Sequence, residues 1–333
     1  SPADRPQGIM DNFTKPSIFG MLPKVKGVQM AVKPGKIERE NLWRLLEMAR
    51  DEDLGSGDVT SAILPAEIGA EARFIARQPM TVCGCELLEA IAACYDGDIR
   101  TECRVQEGEY VPAGTLLAIW KGPGRAILAA ERVALNFIQR LCGVATTTRE
   151  YVEAVKGTDA HIFDTRKTIP GWRELEKYAV RAGGGRNHRK GLYDAVLIKD
   201  NHLAVLAQSE GMDPISAAGR ELERLRPALP PTAFVELEVD TLAQFEVALG
   251  LGVDIILLDN MSLDQLRQAV ERRNSLGLKG RLELEASGGV RLDTVRDIAL
   301  TGVERISVGA LTHSATAIDI ALDIHLNLLK PSE

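Results

Sequence analysis

The sequence has no apolar run approaching the ~18 residues that a membrane-spanning helix needs, so a helical membrane protein is not expected. It also lacks a basic balance. Forty Lys and Arg stand against 47 Asp and Glu, a formal net charge of −7. A general nucleic-acid binder works through a basic surface, so none is expected here. Cysteine is sparse, five in 333 residues, and the number is odd. With no secretory pattern, a disulfide framework is excluded, and reduced thiols in a cytoplasmic protein are expected. Cys83 and Cys85 form a C-x-C with no histidine nearby, so buried thiols are a better reading than zinc ligands. No G-x-S-x-G, Walker or H-E-x-x-H sequence is present.

What remains is a globular composition, 45% apolar and 26% charged, long enough for two domains. Residues 1–35 carry five prolines and no periodicity, and are expected to be a leader or flexible extension. From Lys36 the pattern changes. Leu42, Leu45, Leu46 and Ala49 follow helical spacing, and the acidic, glycine-containing stretch Asp51–Thr60 reads as a loop. Ala70, Ala72, Phe74 and Ala76 alternate like a half-buried strand, Cys85–Tyr95 reads as a helix, and Ile99–Val105 and Thr115–Trp120 read as strands. The stretch EGEYVPAGTLL resembles a biotinyl or lipoyl carrier hairpin but has no lysine at its tip, which excludes a swinging arm. A long helix is predicted from Arg125 to Cys142.

Beyond it the rhythm becomes strand, helix, strand. The apolar runs are 161–163, 195–198, 233–237, 254–258, 282–286 and 304–308, with helices predicted over 172–182, 241–249, 262–273 and 294–300. Such repetition predicts parallel strands with right-handed crossovers, and favours a barrel or near-barrel. Polar residues and glycines gather where these strands end: Asp164 to Lys167, Lys199 to Asn201, Glu238, Asp259 with Asn260, Ser287 to Gly289, and Gly309. In α/β barrels that face carries the active site.

The candidate residues imply an anionic substrate. Between His161 and His202, Lys and Arg outnumber Asp and Glu nine to five. Arginines such as Arg166, Arg186 and Arg189 present a planar fork that fits carboxylates, and lysines such as Lys167, Lys190 and Lys199 suit phosphate. The bland alternative is a solvated basic loop, strongest for Arg186 or Lys190 alone. His188 lies between Arg186 and Arg189 and is read as a pocket donor. Glu238 and Asp259 close neighbouring strands, which suggests Mg²⁺, ribose hydroxyls or stabilisation of a cation; a salt bridge to a lysine is the alternative. Glu236 would share the face of Glu238 and is the weaker candidate. Ser287, Gly289 and Gly309 sit where many barrels bind phosphate through backbone N–H groups.

The block DTRKTIPGWRELEKYAVRAGGGRNHRKGLYDAVLIKDNH (Asp164–His202) closely resembles the central signature of quinolinate phosphoribosyltransferases. DEDLGSGDVTS, ERVALNFIQRLCGVAT, VELEVDTLAQ, ILLDNM, LEASGGV and ISVGALTHS resemble its other motifs, in order, so the likeness covers about Ile37–Leu328. It implies an N-terminal α/β sandwich (36–141), an open seven-stranded TIM-like α/β barrel (142–313), and a final helix within 314–333 that returns to the first domain. It implies transfer of phosphoribosyl from phosphoribosyl pyrophosphate to quinolinate with loss of carbon dioxide. Arg132 would reach the site of a partner subunit in a dimer, or in a hexamer of dimers. Thr165, Arg166, His188 and Arg189 would surround the dicarboxylate. Lys167 and Lys199 would serve catalysis with Glu238 and Asp259, the two acids also holding Mg²⁺. Ser287, Gly289 and Gly309 would bind phosphate. Rival readings are a transferase for nicotinate or another ring, a non-catalytic sensor of phosphate ligands, and a Schiff-base aldolase using Lys199.

Overall fold

The computed structural model describes residues 39–210, 213–230 and 233–328; the expected leader 1–35 lies outside them. Helix α1 (Arg39–Leu54) buries Leu42, Leu45 and Leu46, as the spacing predicts. It runs on through Asp51–Leu54, so the acidic loop begins four residues later than expected, with Gly55 in the left-handed region at φ 51°. Strand β1 (Ile68–Ala76) buries Ala72, Phe74 and Ala76 completely. A short pair, β2 (Met80–Thr81) and β4 (Tyr110–Val111), flanks α2 (Leu87–Tyr95) and β3 (Arg100–Cys103). Strand β5 (Leu116–Pro123) then pairs antiparallel with both β1 and β3. Phe74 and Trp120 meet edge to face across this sheet, ring centroids 4.9 Å apart, a geometry that the ring quadrupoles favour.

Helix α3 (Gly124–Ala154) is longer than predicted. It runs past the expected end at Cys142 and through Thr146-Thr147-Thr148, although β-branched residues crowd a helix. Thr148 is fully buried and returns its hydroxyl to the Val144 carbonyl at 2.7 Å, so the helix continues. It contacts β1 and β5 of the first sheet, the short strand β2, and β6 and α4 of the region that follows.

That region alternates strand and helix: β6 (His161–Phe163), α4 (Arg173–Ala182), β7 (Val196–Ile198), α5 (Asp200–Glu210), α6 (Pro214–Leu225), β8 (Val235–Val239), α7 (Leu242–Ala248), β9 (Ile255–Asp259), α8 (Leu263–Ser275), β10 (Glu283–Ser287), α9 (Val295–Ala299), β11 (Arg305–Ser307) and α10 (Ala310–His313). Capping boxes at Thr241/Gln244 and Ser262/Gln265 start α7 and α8 by satisfying backbone N–H groups that a helix leaves free. The six strands form one parallel sheet in the order β6-β11-β10-β9-β8-β7. A parallel bridge between Phe163 and Arg186 adds an extended segment on the free side of β6.

The expected final helix is not formed. Residues Ile320–Leu328 are a strand, β12, antiparallel to β1 over its whole length, giving a first sheet of order β12-β1-β5-β3. The reason is in the sequence. Ile320, Leu322, Ile324, Leu326 and Leu328 alternate with smaller or polar residues, the period of a strand rather than of a helix. All five cysteines are free. No helix among the described residues is long and apolar enough to cross a membrane.

Candidate active site

Parallel pairing brings the C-terminal ends of the six strands to one edge of the sheet, and most of the predicted site residues lie there. The pairing of Ile198 with Leu237 sets Lys199 beside Glu238. Lys199 Nζ donates to Glu238 Oε2 at 2.9 Å, with Glu238 buried and Lys199 half exposed. Both alternatives weighed for Glu238 therefore share one geometry, a carboxylate at the strand edge held by a lysine. Asp259 ends the next strand. Burial first, then the charge of Asp240, pushes its carboxyl above the usual range, although Asn260 Nδ2 donates to it at 2.6 Å.

The turns after β9 and β10 interlock. Ser287 pairs with Asp259, and the Asn260 amide donates to the Ser287 carbonyl at 2.9 Å. Asn260 has φ 53°, and a Cβ on Gly288 would strike its side chain, so only glycine fits there. Gly289 is also left-handed, at φ 59°. On the far side, Gly309 follows β11, and a Cβ on it would lie 3.1 Å from Cδ of Lys167. Lys167, carried by the loop after β6, thus lies against the turn that follows β11.

Arg166 and Arg189 form the basic part. The two charges sense each other: burial first, then Arg166, lowers the Arg189 pKa. Nε of each is buried with no hydrogen-bond partner, and Arg189 spends one guanidinium nitrogen on the Ala195 carbonyl at 3.2 Å. Two interacting guanidinium groups at this edge supply counter-charge suited to a multiply charged anion. Thr165 Oγ1 accepts the Lys167 amide at 3.1 Å, which shapes this loop.

His188 sits deeper than a pocket donor would. It is 6% exposed, and both ring nitrogens are engaged by the protein. Nδ1 accepts the Arg189 N–H at 2.8 Å, and Nε2 lies 2.8 Å from Glu236 and 3.6 Å from Glu285. Since Nδ1 accepts, the ring proton is on Nε2, facing the acids. His188, Glu236 and Glu285 have atoms spaced closely enough for a metal ion, all within 4.8 Å of one another. A proton on Nε2 leaves that nitrogen no lone pair for an ion, so the trio is a buried electrostatic cluster in which neither Glu236 oxygen meets a well-aligned donor. Arg305 closes it, bonding Glu285 at 2.7 Å and stacking on Phe163 at 3.6 Å. Burial pushes Glu236 up to about 7 and raises Glu285 as well, while it lowers His188.

Arg132 and Arg186 are both exposed. Among the described residues, no hydrogen bond or ion pair joins Arg132 to the strand-end cluster. Several residues that build the site were given no role from the sequence. Asp164 is fully buried and accepts from Lys177 Nζ at 2.6 Å, from the His188 amide at 2.7 Å and from Asn187 at 2.8 Å, fixing the loop that carries Arg189. Burial raises Asp164 and lowers Lys177, which weakens charge on both. Glu285 and Arg305 carried one overlooked signal, charge inside otherwise apolar strand runs.

The family described as "Quinolinate phosphoribosyl transferase, N-terminal domain" matches residues 58–142, and "Quinolinate phosphoribosyl transferase, C-terminal domain" matches residues 144–323. The chain is 40% identical to the nicotinate-nucleotide pyrophosphorylase (carboxylating) of Mycobacterium leprae, covering 84% of this chain and 95% of that one. It is 37% identical to the mitochondrial quinolinate phosphoribosyltransferase (decarboxylating) 2a of Nicotiana tabacum, covering 90% and 86%. The solved nicotinate-nucleotide pyrophosphorylase of Francisella tularensis superposes with a TM-score of 0.79 at 36% identity, covering 87% of this chain and 98% of that one. Matched across both domains and over most of its length, the chain belongs to the quinolinate phosphoribosyltransferase family.

Proposed function

We infer that the chain transfers the phosphoribosyl group of phosphoribosyl pyrophosphate to quinolinate and releases pyrophosphate and carbon dioxide, giving nicotinate mononucleotide for NAD synthesis. The observation that carries this is the pair Arg166 and Arg189 at the same sheet edge as Lys199–Glu238 and Asp259. A dicarboxylate satisfies two guanidinium groups; a monocarboxylate such as nicotinate leaves one unpaired in a buried place. The strand-end architecture also supports an open barrel of seven strands, with the Arg186 segment as the seventh beside β6.

In this reading Arg166 and Arg189, with Thr165 beside them, hold the quinolinate carboxylates and aim the ring nitrogen at C1 of the ribose. His188 supports Arg189 from beneath. Lys167, packed on Gly309, and the Ser287–Gly289 turn receive the phosphates. As the ring nitrogen bonds to C1, the bond from C1 to pyrophosphate breaks, and the sugar passes through an oxocarbenium-like state. Glu238 and Asp259 face that positive charge, and Lys199 neutralises the departing oxygens. The ring nitrogen, now cationic, draws the electrons of the C2–carboxylate bond as carbon dioxide leaves, and the carbanion left at C2 takes a proton from water. Glu238 and Asp259 are hard oxygen donors at adjoining strand ends and fit Mg²⁺. Bound with the substrate, Mg²⁺ would supply further neutralisation of the pyrophosphate. The exposed Arg132 on α3 fits a residue lent to a partner's site in a dimer, and the free thiols fit the cytoplasm.

A product assay tests the reading. Quinolinate with phosphoribosyl pyrophosphate and Mg²⁺ should yield nicotinate mononucleotide and carbon dioxide, and nicotinate should not react. Turnover of nicotinate instead would reassign the arginines; tight binding without turnover of either would favour a sensor. Mixing Arg132→Ala with Lys199→Ala protein should restore part of the activity through hybrid dimers. No recovery despite proven subunit exchange would remove the shared site.

A further inference from the structure

We propose that Arg140 and Glu176 form a buried clasp that positions Lys167 for the phosphoribosyl pyrophosphate side of the site. The proposal rests on the reading of Lys167 given above. Glu176, on α4, is fully buried. One of its oxygens accepts from Arg140 Nη2 at 2.6 Å and Nε at 3.2 Å. The other accepts the Ile169 amide at 3.0 Å. Arg140, on α3, sends its remaining donors to the Ala315 carbonyl at 2.7 Å and to the Thr312 carbonyl. Thr312 is fully buried, and its hydroxyl donates to the Lys167 carbonyl at 2.7 Å.

The clasp therefore grips the loop after β6 at two places, Lys167 and Ile169, on either side of Thr168. It also grips the segment after β11, which carries Gly309 and Thr312. These two segments are far apart in sequence and meet where the stem of Lys167 lies on Gly309. Trp172, at the end of the loop, stacks on Phe137 of α3 at 4.6 Å, one turn before Arg140. Stability alone is a poor account of the ion pair, because burying both charges costs about as much as their attraction returns. What the pair adds is a fixed distance between the lysine and the phosphate turn. Lys167 itself touches the substrate in this reading; Arg140, Glu176 and Thr312 act through it and are positioning residues.

The test compares Thr312→Val, Thr312→Ser and Glu176→Gln with Lys167→Ala, measuring KM for each substrate separately, kcat and thermal midpoint. Thr312→Val keeps the shape and deletes the hydroxyl's bond to the Lys167 carbonyl, with its longer contact to the Gly309 carbonyl at 3.3 Å. It should raise KM for phosphoribosyl pyrophosphate about fivefold to tenfold and leave KM for quinolinate within about twofold. Thr312→Ser should restore the value, and Glu176→Gln should shift it in the same direction as Thr312→Val. A purely structural role would lower the thermal midpoint without separating the two KM values, and that result overturns the clasp. So does a Thr312→Val enzyme with both constants unchanged while Lys167→Ala loses phosphoribosyl pyrophosphate. If Lys167→Ala itself keeps its KM for phosphoribosyl pyrophosphate, the assignment of Lys167 falls instead, and the clasp with it. Should Glu176→Gln fail to fold, the Thr312 pair decides alone.

Discussion

Inside the antiparallel sheet, β1 and β5 bury Ala72, Phe74, Ala76, Leu117 and Trp120, and the charged residues Glu71, Arg73 and Lys121 pair on its outer side. In the parallel sheet the strands themselves bury Glu236, Glu238, Glu285 and Arg305, and Asp164 follows directly after β6. The first arrangement is the one that hydrophobic burial favours at little cost. The second takes charges out of water and returns the loss only where partners are complete. The same chain thus builds one region for cohesion and another around groups whose pairing is left partly open. In the antiparallel sheet the unmet polar atoms are neutral, Thr101 Oγ1 and Trp120 Nε1, whereas in the parallel region they belong to charged side chains, Arg166, Arg189, Glu236 and Glu285. Unmet polar atoms are expensive in a scaffold and useful in a site that awaits a charged ligand.

The largest effect should come from the open end of that comparison. Lys199→Ala should lower kcat/KM by about a thousandfold or more while the thermal midpoint stays near wild type, because Lys199 is half exposed. A large loss of stability would mean that the Lys199–Glu238 pair holds the sheet together rather than serving the reaction. Next is Asp164→Ala, which leaves the Lys177 ammonium buried without its partner. Denaturant unfolding should show a loss of about 3–5 kcal/mol, the usual result of breaking a buried pair from one side. A loss under about 1 kcal/mol would show that Lys177 sheds its proton or finds water, and that the buried charges are less constrained than their geometry implies.

Much of this was legible in the sequence. Period-two alternation located β1, and the recurring apolar runs located the six parallel strands to within two residues. The strand ends named Lys199, Glu238, Asp259, Ser287 and Gly309, since parallel pairing must gather such ends on one edge. Three things were not read correctly. Helix α3 runs on past the expected end at Cys142, because its buried face continues through Val144, Ala145, Thr148 and Tyr151. The alternation in Ile320–Leu328 is that of a strand, and the helix expected there came from the family resemblance alone. The buried network escaped for a more general reason. Arg140 and Glu176, Arg305 and Glu285, and His188 and Glu236 are partners supplied by distant segments. Local pattern can flag a charge in an apolar run, but not the residue that answers it.

A smaller effect would come from Glu236→Gln, read against pH. Burial holds Glu236 at about 7, above its usual 4.5, so between these values the folded protein keeps a proton that the unfolded chain has released. Stability from this group is therefore present below 4.5 and lost as the pH rises through 7. Glutamine keeps an acceptor for His188 Nε2–H and carries no charge. The variant should be more stable than wild type at pH 8, by on the order of 1–2 kcal/mol, with the difference vanishing near pH 4. Equal stability at both pH values would show that Arg305 and Arg189 already neutralise Glu236.

The smallest change sharpens the comparison most, because it is chemically the same in both regions. Ile119 in β5 and Ile256 in β9 are both buried, 5% and 0% exposed. Replacing either by valine removes one methylene, at a cost of about 0.5–1.5 kcal/mol in stability. Ile119 lies in the antiparallel sheet, facing Arg73 and Glu102 in register, among none of the site residues. Ile256 lies between Leu237 and Leu284, three residues before Asp259, in strands that also carry Glu238 and Ser287. A shift of a few tenths of an ångström there passes directly to three of the strand ends. Ile119→Val should therefore leave kcat/KM within about twofold, and Ile256→Val should lower it about twofold to fivefold at a similar loss of stability. Equal falls in activity would mean that turnover follows global stability and that the two sheets are one functional unit. No fall in either would confine the difference between them to the charged residues, leaving the apolar frame of the parallel sheet as tolerant as that of its antiparallel neighbour.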